Sequence, residues 1–170
     1  MTSGIPQQLF MTDDVRLWRM RRSGRQHLVE YAQQRLARQE ASYGPLQAYK
    51  TNSALDPDTL TLGFARRFAA YKRPTLLLHD RDRLAGILTN PQRPVQLILA
   101  GKVHPEDAVG QALILEWTQF ARQTSVRPHI AFLSDYDMLL AERLVEGVDV
   151  WINTPRRPWE ASGTSGMKSW

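Results

Sequence analysis

Between residues 59 and 154, short apolar runs alternate with longer segments of helical periodicity, and this alternation restricts the possible folds more than any other feature. Strand-like runs separated by helices predict a parallel sheet with right-handed crossovers. The predicted fold class is therefore α/β, with helices flanking a parallel sheet. The predicted strands cover 59–65, 95–101, 129–135 and 148–154, and the predicted helices cover 71–88, 105–123 and 137–147.

Three of these segments carry further signals. The run 95–101, VQLILAG, is mostly apolar and closes on glycine, which is typical of a strand buried on both faces. The segment 105–123 begins with a proline and two acidic residues, as helix N-termini prefer. The segment 71–88 is predicted to be one helix, with Pro74 in its first turn, where a proline is tolerated.

The first 58 residues are predicted to be an N-terminal helical segment and linker, separate from a domain at 59–170. Apolar residues recur at helical spacing over 13–39, with an interruption near Ser23 and Gly24, so one or two helices are expected. Turn-forming residues without periodicity over 41–58 predict a loop or linker.

The composition is that of a basic, cysteine-free globular chain. Lysine and arginine number 22 against 17 acidic residues, a net charge of +5 that permits nucleic acid, acidic membranes or phosphorylated small molecules as partners. The arginines of the predicted N-terminal helix are expected to lie on a solvated face. The absence of cysteine excludes disulfides, thiolate metal sites and a catalytic thiol, and no metal site is predicted.

No targeting or membrane-spanning pattern is visible in the sequence. The N-terminus lacks a basic region followed by an apolar run, and no stretch reaches 18 continuous apolar residues. A cytoplasmic location without membrane association is therefore expected.

Polar clusters follow each of the four predicted strands. Because ligands bind beyond the carboxyl ends of parallel strands, these clusters are expected to line one crevice. Its predicted lining residues are Arg66, Arg67, Lys72, Lys102, Tyr136, Glu160 and Lys168.

These residue types are suited to binding anions. Arginine binds phosphate oxygens through two parallel hydrogen bonds, and lysine supplies a compact charge. Some of the arginines can simply face solvent, and this interpretation is preferred for Arg73. The small residues of 161–168 allow close approach of the backbone to a ligand, although such clusters are also common in flexible loops. A lysine in a dry pocket beside other cations can form a Schiff base, which makes Lys168 a candidate.

The stretches GFARRFAAYKR (63–73), LILAGKVHP (97–105) and 132–168 closely resemble the α-glucan (glycogen) phosphorylase family, in particular its shorter bacterial form. The segment EASGTSGMK (160–168) resembles the family's pyridoxal 5'-phosphate attachment segment. The resemblance implies the C-terminal, Rossmann-like domain of a glycosyltransferase B fold, with the active site between two such domains.

The resemblance also implies residue roles toward the cofactor. Lys168 corresponds to the catalytic lysine that forms the Schiff base with pyridoxal 5'-phosphate. Arg66, Thr164 and Ser165 fall where the family contacts the cofactor phosphate, and Tyr136 falls in a further cofactor-site motif.

Toward substrate, the resemblance implies a second set of roles. Arg67 and Lys72 match the catalytic basic pair that holds the substrate phosphate. Glu160, Ser162 and Gly163 match positions that contact the glucosyl unit. Lys102 falls in a further active-site motif.

The implied reaction is reversible phosphorolysis of a terminal α-1,4-linked glucose by inorganic phosphate, which yields glucose 1-phosphate. The cofactor's phosphate would shuttle the proton that the departing glucan oxygen needs. Two phosphate dianions held together repel strongly, and Arg66, Arg67 and Lys72 would offset that repulsion.

The family's N-terminal domain and the elements after its lysine have no counterpart here. The chain is therefore expected to be a fragment with little or no activity by itself.

Two other functions stay open. A nucleotide-sugar glycosyltransferase, such as a glycogen or starch synthase, shares the architecture and a basic pair but needs no Schiff-base lysine. A non-catalytic glucan- or anion-binding fragment would also explain the charge. Nucleic acid is not expected as a partner, because no aromatic-rich basic patch is evident.

Overall fold

The structure, a computed structural model, describes residues 12–42 and 55–154, and its centre is a sheet of four parallel strands. The order in the sheet is β3-β2-β1-β4, with β1 paired in parallel to both β2 and β4. The predicted α/β class with a parallel sheet is thereby confirmed. The strands are β1 (Leu60–Ala65), β2 (Val95–Ala100), β3 (Ile130–Leu133) and β4 (Val150–Trp151).

In the described ranges, four α-helices flank the sheet: α1 (Asp14–Ser42), α2 (Arg81–Leu88), α3 (Ala108–Ala121) and α4 (Met138–Gly147). Each of the last three starts at an aspartate whose carboxylate accepts a backbone N–H of the first turn. Asp80 accepts from Arg83, Asp107 from Gly110 and Asp137 from Leu140. Such caps satisfy backbone donors that have no partner within the helix. None of these helices is long and apolar enough to cross a membrane.

The helices form a layer on each face of the sheet. On one face Ile98 of β2 shares a buried cluster with Leu28 of α1 and with residues of α4. On the other face Leu99 shares a cluster with Trp117 of α3 and with residues of α2. All six residues of β2 are buried, so the prediction of a strand covered on both faces is confirmed.

One polar residue lies within β2, and its amide is fully used. Gln96 Nε2 donates to Thr61 Oγ1 (2.7 Å) and to the Asp56 carbonyl (2.9 Å), while its Oε1 accepts from Asp56 N (2.9 Å). A buried amide is costly without partners, and these bonds remove that cost. They also fasten the chain just before β1 to the middle of the sheet.

The N-terminal helical pattern forms one continuous helix rather than two. Gly24, where an interruption was expected, lies in the interior of α1. A Cβ added there would come within 2.7 Å of the Glu146 carbonyl oxygen of α4. The glycine therefore marks a close helix crossing, and of the two predicted alternatives, one helix or two, the structure has one.

The arginines of α1 do not all face solvent, and this corrects the expectation of a solvated basic face. Arg25 is 1% exposed. Its Nη1 lies 2.9 Å from Asp149 Oδ1, and its Nε donates to the Pro57 carbonyl (2.7 Å). Its guanidinium carbon lies 4.6 Å from the centroid of the Trp18 ring. Arg25 thus fastens α1 to the amino edge of the sheet.

The segment 71–88 is not the single helix that its pattern predicts. Two 3-10 turns, Ala70–Lys72 and Leu76–Asp80, precede α2, which begins only at Arg81. Arg73 ends the first turn in a left-handed conformation with φ 46°. Pro74 then follows and has no N–H for a helical bond, so an α-helix cannot pass through this stretch.

The last two strands are shorter than predicted. A 3-10 turn at Arg127–His129 occupies the start of the third predicted run, and only Val150–Trp151 pairs within the fourth. Most of the predicted linker, residues 43–54, lies outside the described residues, and α1 itself reaches Ser42.

Candidate functional site at the carboxyl edge of the sheet

The loops after β1 and β2 are bonded to each other beyond the ends of their strands. Arg66 N donates to the Ala100 carbonyl (3.1 Å), and Phe68 N donates to the Lys102 carbonyl (3.0 Å). The parallel ladder therefore continues past both strands. This places the backbone of Arg66 and Arg67 directly beside that of Lys102, as predicted for loops at one edge of a parallel sheet.

Phe68 anchors this pair of loops in the core. Its side chain is fully buried and its ring centroid lies 5.8 Å from that of Phe132 in β3. A Cβ on Gly101 would come within 2.3 Å of the Phe68 ring, and one on Gly110 within 2.5 Å of the Phe68 carbonyl oxygen. Glycine is required at both positions because the loop passes this close. The result is a rigid backbone next to Arg67.

The basic residues of this edge differ in exposure. Arg66 is buried at 6% exposure, whereas Arg67 and Lys102 are exposed. Lys72 is half-buried at the end of the first 3-10 turn, and its Nζ lies 5.1 Å from the centroid of the Tyr71 ring. Arg73 is exposed, as expected. Positive charge held on rigid loops at this edge is suited to an anionic ligand.

The loop after β3 is held by side chains from α1. Arg35 Nη2 donates to the Asp135 carbonyl (2.6 Å), and Arg35 Nη1 lies 2.7 Å from Asp137 Oδ2. Gln39 bonds the end of β3 on both sides, donating to the Phe132 carbonyl (3.2 Å) and accepting from Ser134 N (2.9 Å). The expectation that the arginines of α1 face solvent is therefore wrong for Arg35 as well.

Two groups of this loop have shifted pKa values. The N–H of Leu140 holds the pKa of Asp137 below its usual range, and the charges of Arg35 and Lys102 act in the same direction. Since β2 and β3 are paired neighbours in the sheet, the loops that follow them leave it side by side. Burial raises the pKa of Tyr136, a half-buried residue, so its phenol stays protonated at neutral pH.

Part of the predicted site lies outside the described residues. The structure brings together the backbones of Arg66, Arg67 and Lys102, with Lys72 further along the loop after β1 and Tyr136 on the loop after β3. Among residues 12–42 and 55–154, no group of three His, Asp or Glu side chains is arranged to hold a metal ion. The predicted residues outside the described ranges are Glu160, Ser162, Gly163, Thr164, Ser165 and Lys168.

Several residues that shape this edge were not singled out by sequence analysis. The glycine that ends the apolar run 95–101 was a visible signal for a close backbone contact at Gly101. The others act on partners far along the chain, and no local pattern reveals them. They are Arg35, Gln39, Phe68, Gly110, Trp117 and Thr154.

The fold and this edge define an α/β protein with a Rossmann-like sheet and a basic carboxyl edge. A scan against protein-family models finds no match. The chain is 49% identical over 165 residues, 96% of its length, to a glycogen phosphorylase of Mycobacterium tuberculosis. It is 44% identical over 160 residues to a glycogen phosphorylase of Aquifex aeolicus, and 39% identical over 156 residues to a maltodextrin phosphorylase of Thermococcus litoralis, each covering 92% of the chain.

Identity of this extent makes the chain a homologue of the glycogen and maltodextrin phosphorylases along the stretch they share. That stretch is a limited part of the relatives. The chain spans about a fifth of their length, 19% for the Mycobacterium tuberculosis protein, 23% for the Aquifex aeolicus protein and 18% for the Thermococcus litoralis protein.

Proposed function

We propose that the chain supplies the cofactor- and phosphate-binding edge of an α-glucan phosphorylase, an enzyme that splits terminal α-1,4-linked glucose from a glucan with inorganic phosphate. The observation that carries the proposal is the bonded pair of loops after β1 and β2, which holds Arg66, Arg67 and Lys102 at the ligand-binding edge of the sheet. The homology to phosphorylases along 96% of the chain supports it.

The described residues fit the phosphate group of pyridoxal 5'-phosphate. Guanidinium and ammonium groups are the usual partners of phosphate dianions, and they are concentrated at this edge. In the proposal Lys168 anchors pyridoxal 5'-phosphate. The phosphate group of this cofactor is held by Arg66, Thr164 and Ser165, with Tyr136 nearby. When bound, the cofactor supplies a phosphate group able to exchange a proton with the reacting phosphate.

The chain's own residues would then bind and orient the substrate. Arg67 and Lys72 hold inorganic phosphate, and their charges offset the repulsion between the two phosphate groups. The packing of Phe68 in the core fixes the backbone beside Arg67, so the Arg67 side chain leaves the loop from a defined position. Glu160, Ser162 and Gly163 contact the glucosyl unit. The rest of the glucan site belongs to the part of the relatives that this chain does not span.

Reductive trapping tests the proposal. The chain is incubated with pyridoxal 5'-phosphate, reduced with borohydride and mapped by peptide mass spectrometry. It contains only four lysines, Lys50, Lys72, Lys102 and Lys168, so three of them serve as internal controls. We expect label to concentrate on Lys168 at low cofactor concentration, because in the proposal the basic residues of the carboxyl edge hold the cofactor phosphate while this lysine forms the Schiff base.

Pyridoxal, which lacks the phosphate, is the matched control ligand. It should label Lys168 far less selectively, since it gains nothing from the basic edge. Equal labelling of Lys50 and Lys168, with or without the phosphate, would contradict the proposal. The same result would favour the alternative of a nucleotide-sugar glycosyltransferase, whose site needs no Schiff-base lysine.

A further inference from the structure

Three successive carbonyls of the turn that carries Lys72 are bonded by side chains of other elements. Thr154 Oγ1 lies 2.9 Å from the Lys72 carbonyl oxygen and 3.1 Å from that of Arg73, so its single proton is shared between them. Trp117 Nε1 of α3 donates to the Pro74 carbonyl at 2.8 Å. Both donors are buried, Thr154 at 5% exposure and Trp117 at 0%.

The backbone of this turn needs such support. Arg73 has φ 46° and ψ 54°, a left-handed conformation that costs a residue other than glycine about 1 kcal/mol or more. The Thr154 hydroxyl bonds the carbonyls just before and within that strained residue. Together with Trp117 it fixes the peptide planes that follow Lys72, and with them the direction in which the Lys72 side chain leaves the turn.

Thr154 also connects two parts of the proposed site. It follows β4 by three residues and comes six residues before Glu160 in the sequence, whereas Lys72 belongs to the loop after β1. Since β1 and β4 are paired neighbours, the hydroxyl bridges the adjacent carboxyl ends of these two strands. A hydrophobic side chain of the same shape would fill the space but leave these partly buried carbonyls without this donor.

We propose that Thr154 is a positioning residue, which holds Lys72 in the geometry for binding the substrate phosphate without touching the anion itself. The inference rests on the proposed role of Lys72. It predicts that the threonine hydroxyl matters for phosphate affinity, and that it matters only while the lysine amine is present.

The test is a titration of the ¹⁵N-labelled full chain with inorganic phosphate, followed by the NMR shifts of backbone amides in 66–73. Thr154→Val should weaken binding about fivefold, the equivalent of one lost hydrogen bond. Thr154→Ser, which keeps the hydroxyl, should bind within about twofold of the parent. In a Lys72→Met background, Thr154→Val should have no further effect, because Thr154 acts through that lysine.

Thr61→Val is the matched control for global destabilisation. The Thr61 hydroxyl is also buried and also donates to a backbone carbonyl, that of Thr59 at 3.0 Å, but it lies toward the amino end of β1. This variant should lose stability and keep the phosphate affinity of the parent. If the valine variant does not give a folded spectrum, Thr154→Ala, which only removes atoms, is measured by the same criteria.

The outcomes separate the two proposals. If the parent binds phosphate and Lys72→Met weakens it while Thr154→Val does not, the positioning role is wrong and the proposed function stands. Equal weakening by Thr154→Val with and without Lys72 also overturns the positioning role. If the parent chain does not bind phosphate at this edge, the proposed phosphate site is wrong and the inference falls with it.

Discussion

At the scale of single residues, arginine serves three different purposes in this chain. Arg25 is buried and fastens α1 to Asp149, and Arg35 holds the loop after β3. Arg67 is exposed on a loop whose backbone is fixed by Phe68. A count of positive charges therefore says little about anion binding, because what matters is whether the guanidinium is already engaged by the protein. Of these three arginines, Arg67 is the candidate for binding a ligand.

Arg67→Gln should raise the dissociation constant for inorganic phosphate about five- to tenfold, since one charge-assisted hydrogen bond to the anion is lost. The measurement is the NMR titration of the full chain described above. Arg93→Gln is the control: it removes the same charge from an exposed residue just before β2, at the opposite edge of the sheet.

Arg93 lies about 20 Å from the carboxyl edge of the sheet, because the six residues of β2 separate it from that edge. Screening at physiological salt reduces the influence of Arg93 over that distance, so its variant should bind within about twofold of the parent. Equal effects of the two variants would show that only the net charge of the chain matters.

At the scale of secondary-structure elements, glycines decide how closely neighbours approach. Gly24 of α1 faces the Glu146 carbonyl, and a Cβ on Gly147 of α4 would lie 2.4 Å from Leu28 Cβ and 2.7 Å from the Gly24 carbonyl oxygen. Two helices thus meet through a pair of glycines on one face of the sheet. Gly86 of α2 is different, because an added Cβ there would have no neighbour within 4 Å.

Replacing Gly86 and Gly24, both inside helices, with alanine should have opposite effects on the free energy of unfolding. Gly86→Ala should raise the free energy of unfolding by up to about 1 kcal/mol, since alanine favours the helix. Gly24→Ala gains the same helix preference but forces α1 away from α4, so we expect a net loss of about 1 kcal/mol or more. Urea unfolding followed by circular dichroism measures both. A gain in stability for Gly24→Ala would show that the crossing has room to adapt.

At the scale of the whole molecule, the pH dependence of stability follows from carboxylates that join distant parts of the chain. The Leu140 N–H and the Arg35 guanidinium lower the pKa of Asp137, and the bond from Arg22 lowers that of Asp58. A native carboxyl with a lowered pKa binds protons less readily than it does in the unfolded chain. Its stabilising effect is therefore complete above the ordinary carboxyl pKa and is lost as the pH falls through the lowered value.

We expect the free energy of unfolding to fall as the pH drops below about 4. Urea unfolding at a series of pH values between 7 and 3 measures this dependence. In Asp137→Asn the amide oxygen can still cap α4, but no charge remains to titrate, so the decline should be less steep. Curves for the parent and the variant that stay parallel throughout would contradict a contribution from Asp137.

Much of the fold could be predicted from local pattern, because the alternation of apolar runs and helical segments depends on neighbours in the sequence. Several features escaped prediction for long-range reasons: Arg25 is buried because Asp149 reaches it, and Thr154 bonds the carbonyl of Lys72. The segment 71–88 fails as a helix for a local reason, because Arg73 takes a left-handed conformation and Pro74 has no N–H for a helical bond. The candidate site is predictable from the strand ends and the family resemblance, whereas its supporting residues depend on contacts between distant parts of the chain.

The long helix α1 engages both edges of the sheet, through Arg25 at the amino edge and through Arg35 and Gln39 at the carboxyl edge. The ten residues from Arg25 to Arg35 span about 15 Å, and each residue turns the helix by about 100°. Inserting or deleting one residue between them would rotate one set of contacts away from its partners. The number of residues between Arg25 and Arg35 is therefore constrained in evolution, because it sets which way the two side chains face. Substitutions on the exposed face of α1 are free to accumulate.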